Sequence, residues 1–258
     1  MINVRDLTKI YHDKKRGKIV AVDHISFEAN NGAIFGLLGP NGAGKTTTLR
    51  LLATILQPTE GTAIIGGHDI NKESQQVRRK IGFLSGDMGL YHRLTPRELL
   101  RFFGRLNGLN GAELNQRIDH LFELFDMRHF ADSKIDALST GMRQKTAISR
   151  TIIHDPPILI LDEPTSGLDV PTAHVVEGYI RDARVAGKCI VLSTHVMEEA
   201  EYLCDRIAVI YQGRIRALGT MDDLRSMTGK NRLREIFIEL LGLNETCLLY
   251  TSPSPRDS

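Results

Sequence analysis

The sequence predicts an α/β domain with a parallel β-sheet, and three features of the chain support this fold class. Strand patterns alternate with a helical pattern between residues 158 and 218, which is typical of strand–helix–strand units. The fully apolar run Ala33 to Leu38 is typical of a strand that is buried on both faces. Helical periodicity fills a block at about 88–155, so we expect a helical subdomain that interrupts the α/β core.

The individual elements follow from local patterns. Thr95 as N-cap with Pro96 in the first turn marks the start of a helix, and apolar residues recur at helical spacing from there to Met127. The predicted strands are Ile2 to Ile10, Ile19 to Ala29, Ala33 to Leu38, Ile158 to Leu161, Cys189 to Leu192, Ile207 to Ile210 and Ile215 to Leu218. Further helices are expected at Thr46 to Leu56, Thr172 to Val185 and Arg234 to Leu241.

The end of the chain has a different character from the rest. The periodic pattern weakens after residue 228, and we interpret residues 229–245 as a C-terminal helical extension. Residues 246–258 form a composition break that ends in a Ser/Pro string. We expect this tail to be non-native or disordered and exclude it from the fold.

Composition indicates a globular protein. The chain has 258 residues, of which 41% are hydrophobic and 25% are charged. No apolar run approaches the roughly 18 residues that a membrane span needs. The first ten residues mix in the charges of Arg5, Asp6 and Lys9 and lack the apolar stretch of a signal peptide. We therefore expect a protein of the cytoplasm that does not cross a bilayer by itself.

Cysteine usage and charge argue against three other classes of protein. Cys189, Cys204 and Cys247 show no CxxC pairing and no histidine at ligand spacing, so neither a disulfide framework nor a zinc site is indicated. Lys plus Arg (33) nearly balances Asp plus Glu (31), and the basic cluster at 14–18 is expected to be a solvated loop. Phosphate tracking along nucleic acid needs a broader basic face, so we do not expect nucleic-acid binding.

A phosphate-binding pattern follows the buried apolar strand. It fits GxxxxGK[ST] and consists of Gly39, Pro40, Asn41, Gly42, Ala43, Gly44, Lys45, Thr46 and Thr47. The glycines let backbone N–H groups turn toward phosphate oxygens, Lys45 reaches the terminal phosphates, and the Thr46 hydroxyl is a candidate Mg²⁺ ligand. Because a predicted strand and helix flank the pattern, a nucleoside triphosphate site is favoured over a glycine-rich turn that matches by chance.

Two carboxylates end the predicted strand at 158–161. The carboxyl ends of strands are where ligands of open α/β sheets collect. Asp162 is the candidate partner of Mg²⁺, and Glu163 is the candidate base that polarises a water toward the γ-phosphate. The alternative for Glu163 is a strand-end carboxylate with a structural role, which the phosphate loop makes less favoured.

Two further candidate residues lie at the ends of predicted strands or helices. His195 follows the predicted strand Cys189 to Leu192, so it can reach the same pocket. Ser139 is placed as the N-cap of a helix that runs through Ala147 and Ile152, which offers a second phosphate-binding helix end. One nucleotide does not need two such ends from one chain, and an ordinary capped helix is the alternative.

Taken together, these motifs resemble the nucleotide-binding subunit of an ATP-binding cassette (ABC) transporter over about residues 1–228. Gly39 to Thr47 is similar to the family's Walker A loop and Ile158 to Glu163 to its Walker B strand. Leu138 to Met142 is similar to the LSGGQ signature, and Ser166-Gly167-Leu168-Asp169 to the D-loop. His195 is similar to the switch histidine, and Tyr11 to an aromatic residue that stacks on adenine.

The resemblance implies a fold and an assembly. The fold is the P-loop NTPase core of the ABC type, with an antiparallel β subdomain and an inserted α-helical subdomain. Two such subunits form a head-to-tail homodimer or heterodimer, so that Ser139, Gly141 and Asp169 of one chain close the ATP held by the Walker A loop of the other. The cofactors implied are ATP and Mg²⁺, and the location implied is the cytoplasmic face of the cell membrane.

Two departures from the family pattern matter. The signature has Thr140 in place of its first glycine and Met142 in place of glutamine, but it keeps Ser139 and Gly141. The Q-loop glutamine is missing, because aligning residues 81–84 on the family's strand leaves Gly86 in its place. Asp87, the next residue, is a candidate substitute at the Mg²⁺ ion.

The predicted function is that of an ATP-binding and ATP-hydrolysing subunit that energises export through a separate membrane subunit. Residues 81–98 and 192–207 resemble the sodium-exporting branch of the family, which suggests Na⁺ as cargo. The alternative is a soluble ABC ATPase of translation or DNA repair. Those proteins carry two cassettes or a long inserted coiled coil, and this chain shows one cassette without sustained heptads.

A surface for the membrane subunit is expected near the Q-loop. The segment from Asp87 to Phe103 includes the following six apolar residues, more than a simple exposed loop should present: Met88, Leu90, Tyr91, Leu94, Phe102 and Phe103. In the family, this segment receives a short cytoplasmic helix of the membrane subunit. The alternative is that all six belong to the core of the helical subdomain.

Overall fold

The computed structural model describes residues 1–13, 17–86 and 89–242, and it confirms the predicted α/β fold. The strands along these residues are β1 (Ile2–Asp13), β2 (Gly17–Ala29), β3 (Ala33–Leu38), β4 (Glu60–Ile65), β5 (His68–Asp69), β6 (Ile81–Leu84), β7 (Ile158–Asp162), β8 (Cys189–Thr194), β9 (Arg206–Tyr211) and β10 (Arg214–Gly219). The helices are α1 (Lys45–Leu52), α2 (Ser74–Lys80), α3 (Pro96–Leu106), α4 (Gly111–Leu124), α5 (Thr140–Ile152), α6 (Val170–Val185), α7 (Met197–Leu203), α8 (Met221–Thr228) and α9 (Leu233–Leu241).

The first sheet is antiparallel and has the order β2-β1-β4-β5. Ile2 at the start of β1 pairs with Ala29 on one side and with Ile65 on the other. Val4 and Leu7 on β1 are buried in a cluster that also includes residues of β3. The antiparallel subdomain expected at the N-terminal side is therefore confirmed, and its apolar face packs on the second sheet.

The second sheet has the order β10-β9-β3-β8-β7-β6 and holds the site. The pairs β9–β3, β3–β8, β8–β7 and β7–β6 are parallel, as predicted. The strand predicted at Ile215 to Leu218 is present as β10, and it runs antiparallel to β9. Gln212 and Gly213 both have positive φ, which is typical of a two-residue hairpin turn, and a turn that short joins only antiparallel strands.

Helices α3, α4 and α5 form the helical part of the chain. Thr95 and Glu98 form a capping box at the start of α3, with Pro96 in the first turn, as the sequence predicts. Buried apolar residues of the three helices share one cluster, which includes Leu99 on α3, Phe122 on α4 and Ile148 on α5. This cluster continues into residues of β7 and β8, so the helices pack against the sheet that carries the site.

Two predicted boundaries are corrected. The helix predicted at Thr46 to Leu56 begins at Lys45 and ends at Leu52, because Thr54 has a left-handed φ of 58° that no helix continues through. The helix predicted from Thr172 begins at Val170, because Asp169 caps it and Pro171 fits its first turn. The sequence patterns also missed β4, β5, α2, α7 and α8.

The C-terminal helix α9 packs back onto the core. Leu233, Ile236 and Phe237 are buried in a cluster with Ala200 of α7 and Val209 of β9. The backbone N–H of Leu233 also donates to Glu201 Oε1 at 2.9 Å. The tail at 246–258 lies outside the described residues. Across the described ranges, every helix is too short or too polar to cross a membrane.

Candidate nucleotide site

The site lies where three parallel strands end side by side. Strand β8 lies between β3 and β7, with Leu38 paired to Thr194 and Asp162 paired to Ser193. The loops that leave these strands therefore meet at one edge of the sheet. They carry the phosphate loop at 39–44, Glu163 and His195.

The phosphate loop wraps around a cavity at this edge. The described residues that line it are Ala21, Pro40, Asn41, Gly42, Ala43, Gly44, Lys45, Thr46, Thr47 and Glu163. Glycine is required at two of the loop positions. A Cβ at Gly39 would lie 2.3 Å from the Ile210 carbonyl oxygen, and one at Gly44, whose φ is 106°, would lie 2.4 Å from the Ala21 carbonyl oxygen.

Lys45 is a buried cation held by oxygen atoms. Only 4% of the residue is exposed. Its Nζ donates to the carbonyl oxygens of Gly39 at 2.6 Å and Pro40 at 3.2 Å, and lies 3.6 Å from Glu163 Oε1. Burial lowers the pKa of Lys45, while the carboxylates of Glu163 and Asp162 act in the opposite direction. The ammonium is thus desolvated and positioned at the cavity before any phosphate arrives.

A second group of oxygens surrounds Asp162. Its Oδ1 accepts from Thr46 Oγ1 at 3.2 Å and from Ser193 Oγ at 2.6 Å. The structure therefore brings together the two residues predicted as Mg²⁺ ligands, Thr46 and Asp162. Sequence reasoning missed Ser193, although it directly precedes Thr194 and His195 at the end of a predicted strand, which is the signal that could have identified it.

Glu163 and His195 face each other beyond this group. The Glu163 backbone N–H donates to the carbonyl oxygen of Ser193 at 3.2 Å and to its Oγ at 3.1 Å. Glu163 has a left-handed φ of 49°, a conformation that is unfavourable by roughly 1–2 kcal/mol for a residue with a Cβ. This turn brings Glu163 Oε1 to 3.1 Å from His195 Nδ1. The carboxylate is therefore held between an imidazole and the Lys45 ammonium.

The signature-like residues lie at two helix starts. Ser139 caps α5 by accepting from the Met142 N–H at 3.3 Å, and Asp169 caps α6 by accepting from the Thr172 N–H at 2.8 Å. The Thr172 hydrogen bond lowers the pKa of Asp169. A Cβ at Gly141 would lie 3.3 Å from Thr172 Oγ1, so the two helix starts are in contact. Neither Ser139, Gly141 nor Asp169 is among the described residues that line the phosphate-loop cavity.

Tyr11 and Asp87 are the remaining candidates. Tyr11 is exposed near the end of β1 with Lys9 Nζ 5.4 Å from its ring centroid, and it is not one of the cavity residues named above. Its role at adenine therefore stays a prediction. Asp87 lies outside the described residues. Its neighbour Gly86 lies close to the candidate Mg²⁺ ligand Asp162, since a Cβ at Gly86 would lie 3.6 Å from Asp162 Oδ2.

Comparison with known proteins decides between the candidate classes. The family described as "ABC transporter" matches residues 22–166 of this chain. The chain belongs to this family. Its members are ATPases, and this chain corresponds to the ATP-binding subunit of an ABC transporter.

Individual relatives agree with the assignment. The ABC transporter ATP-binding protein NatA of Bacillus subtilis (strain 168) is 39% identical over 242 residues, which are 93% of this chain and 98% of that protein. The Nod factor export ATP-binding protein I of Cupriavidus metallidurans is 40% identical over 224 residues, which are 87% of this chain and 72% of that protein. These relatives favour the transporter class over the soluble one.

A solved structure extends the comparison to the assembly. It shows an ATP-binding cassette as a dimer in a post-hydrolysis state bound to ADP and Pi. The match has a TM-score of 0.79 with 27% sequence identity and covers 85% of this chain and 98% of that one. The ABC fold expected from the sequence is thereby confirmed.

The geometry of Lys45 leads to a test of the ATP site. Replacing Lys45 with Ala (Lys45→Ala) is expected to raise the Kd for ATP by about 100-fold or more, because charge-assisted hydrogen bonds are worth roughly 1.5–3 kcal/mol each. Titration with a fluorescent ATP analogue measures this. The matched control is Lys80→Ala at the exposed end of α2, which should keep the wild-type affinity. Unchanged affinity in Lys45→Ala contradicts the site.

Proposed function

We propose that this ABC subunit binds and hydrolyses Mg-ATP at the site described and drives export through a separate membrane subunit. The observation that carries the proposal is the position of the Glu163 carboxylate, which lies between Lys45 and His195 at the mouth of the phosphate loop. A base beside the terminal phosphate is what hydrolysis requires. The proposed place of work is the cytoplasmic face of the cell membrane.

The donor set at Asp162 suits Mg²⁺. One hydroxyl, Thr46 Oγ1, and one carboxylate oxygen, Asp162 Oδ1, lie 3.2 Å apart, and hard oxygen donors are the ligands that Mg²⁺ prefers. Mg²⁺ usually takes one or two protein oxygens and completes its shell with phosphates and waters. When bound, it neutralises charge that develops on the β- and γ-phosphates. Gly86 brings no side-chain ligand, and Asp87 is the proposed substitute.

The residues of this chain have separate roles in ATP binding and hydrolysis. Loop N–H groups and Lys45 hold the phosphates, and Lys45 exchanges its bonds to Gly39 and Pro40 for phosphate oxygens. Glu163 accepts a proton from the attacking water as the water oxygen bonds to the γ-phosphorus and the bond from that phosphorus to the β–γ bridging oxygen breaks, which releases ADP and phosphate. His195 orients the Glu163 carboxylate through its 3.1 Å contact. Tyr11 stacks on the adenine ring.

The role of Glu163 can be tested by an isosteric change. Glu163→Gln is expected to retain ATP binding but to lower kcat by about 10²–10⁴-fold, the range for loss of a positioned general base. The trapped protein should also elute as a dimer in Mg-ATP on size-exclusion chromatography. Glu198→Gln, which changes an exposed carboxylate on α7, is the control and should turn over normally. Wild-type turnover in Glu163→Gln would remove this residue from the mechanism.

The second helix end implies a shared site. Ser139 and Thr140 are exposed at the start of the 13-residue helix α5, so its first N–H groups face outward. An anion is stabilised at such an end. We propose that Ser139 and Gly141 of one subunit, with Asp169, close the ATP held by the phosphate loop of another in a head-to-tail homodimer or heterodimer. The solved cassette that forms a dimer supports an assembly of two subunits.

Complementation tests the shared site. Lys45→Ala and Ser139→Arg chains are each expected to be inactive, but a 1:1 mixture should recover about a quarter of wild-type ATPase activity, since half of the dimers then contain one intact composite site of two. ATPase activity is measured as a function of the mixing ratio. A mixture no more active than the average of its two components would rule out the head-to-tail dimer.

An exposed aromatic patch marks the proposed docking surface. The patch consists of Tyr91, Phe102 and Phe103, whose ring centroids lie 5.3–6.3 Å apart. Tyr91 and Phe102 are exposed, whereas Phe103 packs partly against the helical core together with Leu90 and Leu94. Of the six residues expected here, Met88 lies outside the described residues. The other five are therefore divided between the core and the surface.

This patch is connected to the ATPase elements. Arg150 on α5 donates from Nη1 to the Gly89 carbonyl oxygen at 2.8 Å, and its guanidinium lies 5.5 Å from the Phe103 ring centroid. Ser139 caps the start of helix α5, so this one helix joins the proposed composite ATP site to the patch. We assign the patch to a cytoplasmic helix of the membrane subunit. The cargo is selected by that subunit, and Na⁺ is our hypothesis for it.

A pair of tyrosine variants tests the docking surface. Tyr91→Glu is expected to release the subunit from membranes that contain its partner, because a charge would have to be buried in an apolar contact. Tyr202→Glu is the matched control, since Tyr202 is 52% exposed against 55% for Tyr91. Sedimentation with the membranes measures association, and ATP binding confirms folding. Equal retention of both variants, or collapse of the fold in Tyr91→Glu alone, would defeat the assignment.

A further inference from the structure

The loop at 164–168 begins immediately after Glu163, whose left-handed φ turns the chain at this point. Internal hydrogen bonds shape it, from the Ser166 N–H to the Glu163 carbonyl oxygen and from the Leu168 N–H to the Thr165 carbonyl oxygen, both at 3.2 Å. A residue with a Cβ keeps a left-handed φ only where its surroundings hold the chain on both sides. On the strand side, Ser193 holds the Glu163 N–H. The residues after Glu163 must therefore be held by contacts as well.

Two buried polar side chains on different helices form hydrogen bonds with this loop. Gln144 on α5 is 4% exposed, and its Nε2 donates to the Pro164 carbonyl oxygen at 2.6 Å. Glu199 on α7 is 6% exposed, and its Oε1 accepts from Thr165 Oγ1 at 2.6 Å. Each contact reaches one of the two residues that directly follow Glu163. Neither Gln144 nor Glu199 is among the described residues that line the phosphate-loop cavity.

Glu199 lies on the helix that follows His195. Helix α7 begins at Met197, two residues after His195, so the bond from Thr165 joins the loop after Glu163 to the helix after His195. Burial raises the pKa of Glu199, and the hydroxyls of Thr165 and Thr194 act against the shift. An apolar residue of similar size would fill the same space without the desolvation of a carboxyl group. The carboxyl group is therefore placed where the loop after Glu163 can bond to it.

We propose that Glu199 and Gln144 are positioning residues for hydrolysis. Glu199 joins the loop after Glu163 to the helix after His195, so one buried carboxyl group behind the site sets the 3.1 Å contact between the Glu163 and His195 side chains. Gln144 ties the same loop to α5, just over one turn from Ser139. A movement of the α5 start is thereby transmitted to Glu163. The inference rests on the proposed roles of Glu163 and His195.

An isosteric pair at Thr165 provides the test. Thr165→Val removes the hydroxyl at nearly constant volume, and Thr165→Ser keeps it. Thr165→Val is expected to lower kcat for ATP hydrolysis by about 10- to 100-fold, since small displacements of a catalytic group have effects of this size. Its Kd for a fluorescent ATP analogue should stay within about two-fold of wild type, because the cavity does not include Thr165. Thr165→Ser is expected to recover at least about a third of the wild-type kcat.

The outcomes separate this inference from the proposed function. Undiminished kcat in Thr165→Val, an equal loss in Thr165→Ser, or a parallel loss of ATP affinity would each overturn it. If Thr165→Val does not fold, Gln144→Met, which removes the donor to Pro164, is judged by the same kcat and Kd criteria. Wild type and Glu163→Gln are measured alongside. Wild-type turnover in Glu163→Gln would contradict the proposed function itself, whereas a normal loss there with an active Thr165→Val overturns the positioning role alone.

Discussion

Strand β8 lies between β3 and β7, and the rest of the site depends on this order. It brings the loop after Leu38, the carboxylate of Asp162 and the segment after Thr194 to one edge of the sheet. It also places the Ser193 hydroxyl where it donates to Asp162 and accepts from the Glu163 N–H. One small side chain on β8 thus holds the Asp162 carboxylate and the Glu163 backbone in place beside the phosphate loop, and any change in register would separate them.

The charges at this edge are arranged for a phosphate chain. Lys45 is desolvated among oxygens of Gly39, Pro40 and Glu163, and the loop amides lie around the cavity beside it. Because its present partners are mostly neutral carbonyl groups, exchanging them for phosphate oxygens increases the electrostatic stabilisation of the cation. The second anion-stabilising helix end, at Ser139, points outward. These two features are what the proposed head-to-tail pair of subunits requires.

Much of this arrangement could be predicted from the sequence because it depends on local sequence patterns. The apolar run at 33–38, the glycine and lysine spacing after it, and the acidic pair after 158–161 each depend on neighbours in the chain. Ser193, Gln144 and Glu199 were not found, because their roles depend on contacts with residues 20 to 34 positions away. A buried glutamate on α7 looks like any helical glutamate until the loop that packs on it is known. The end of α1 was missed because a left-handed residue at Thr54 leaves little trace in hydrophobic periodicity.

We propose that the phosphates of ATP are held by the backbone of residues 39–47 at the edge formed by β3, β8 and β7. Backbone ¹⁵N–¹H NMR of the full chain, titrated with Mg²⁺ and a non-hydrolysable ATP analogue, reads this directly. The largest amide shifts are expected on residues 41–47, with smaller ones at Ser193 and Glu163 and none at the β4–β5 edge of the antiparallel sheet. Saturable binding that leaves the amides of residues 41–47 unshifted would contradict it.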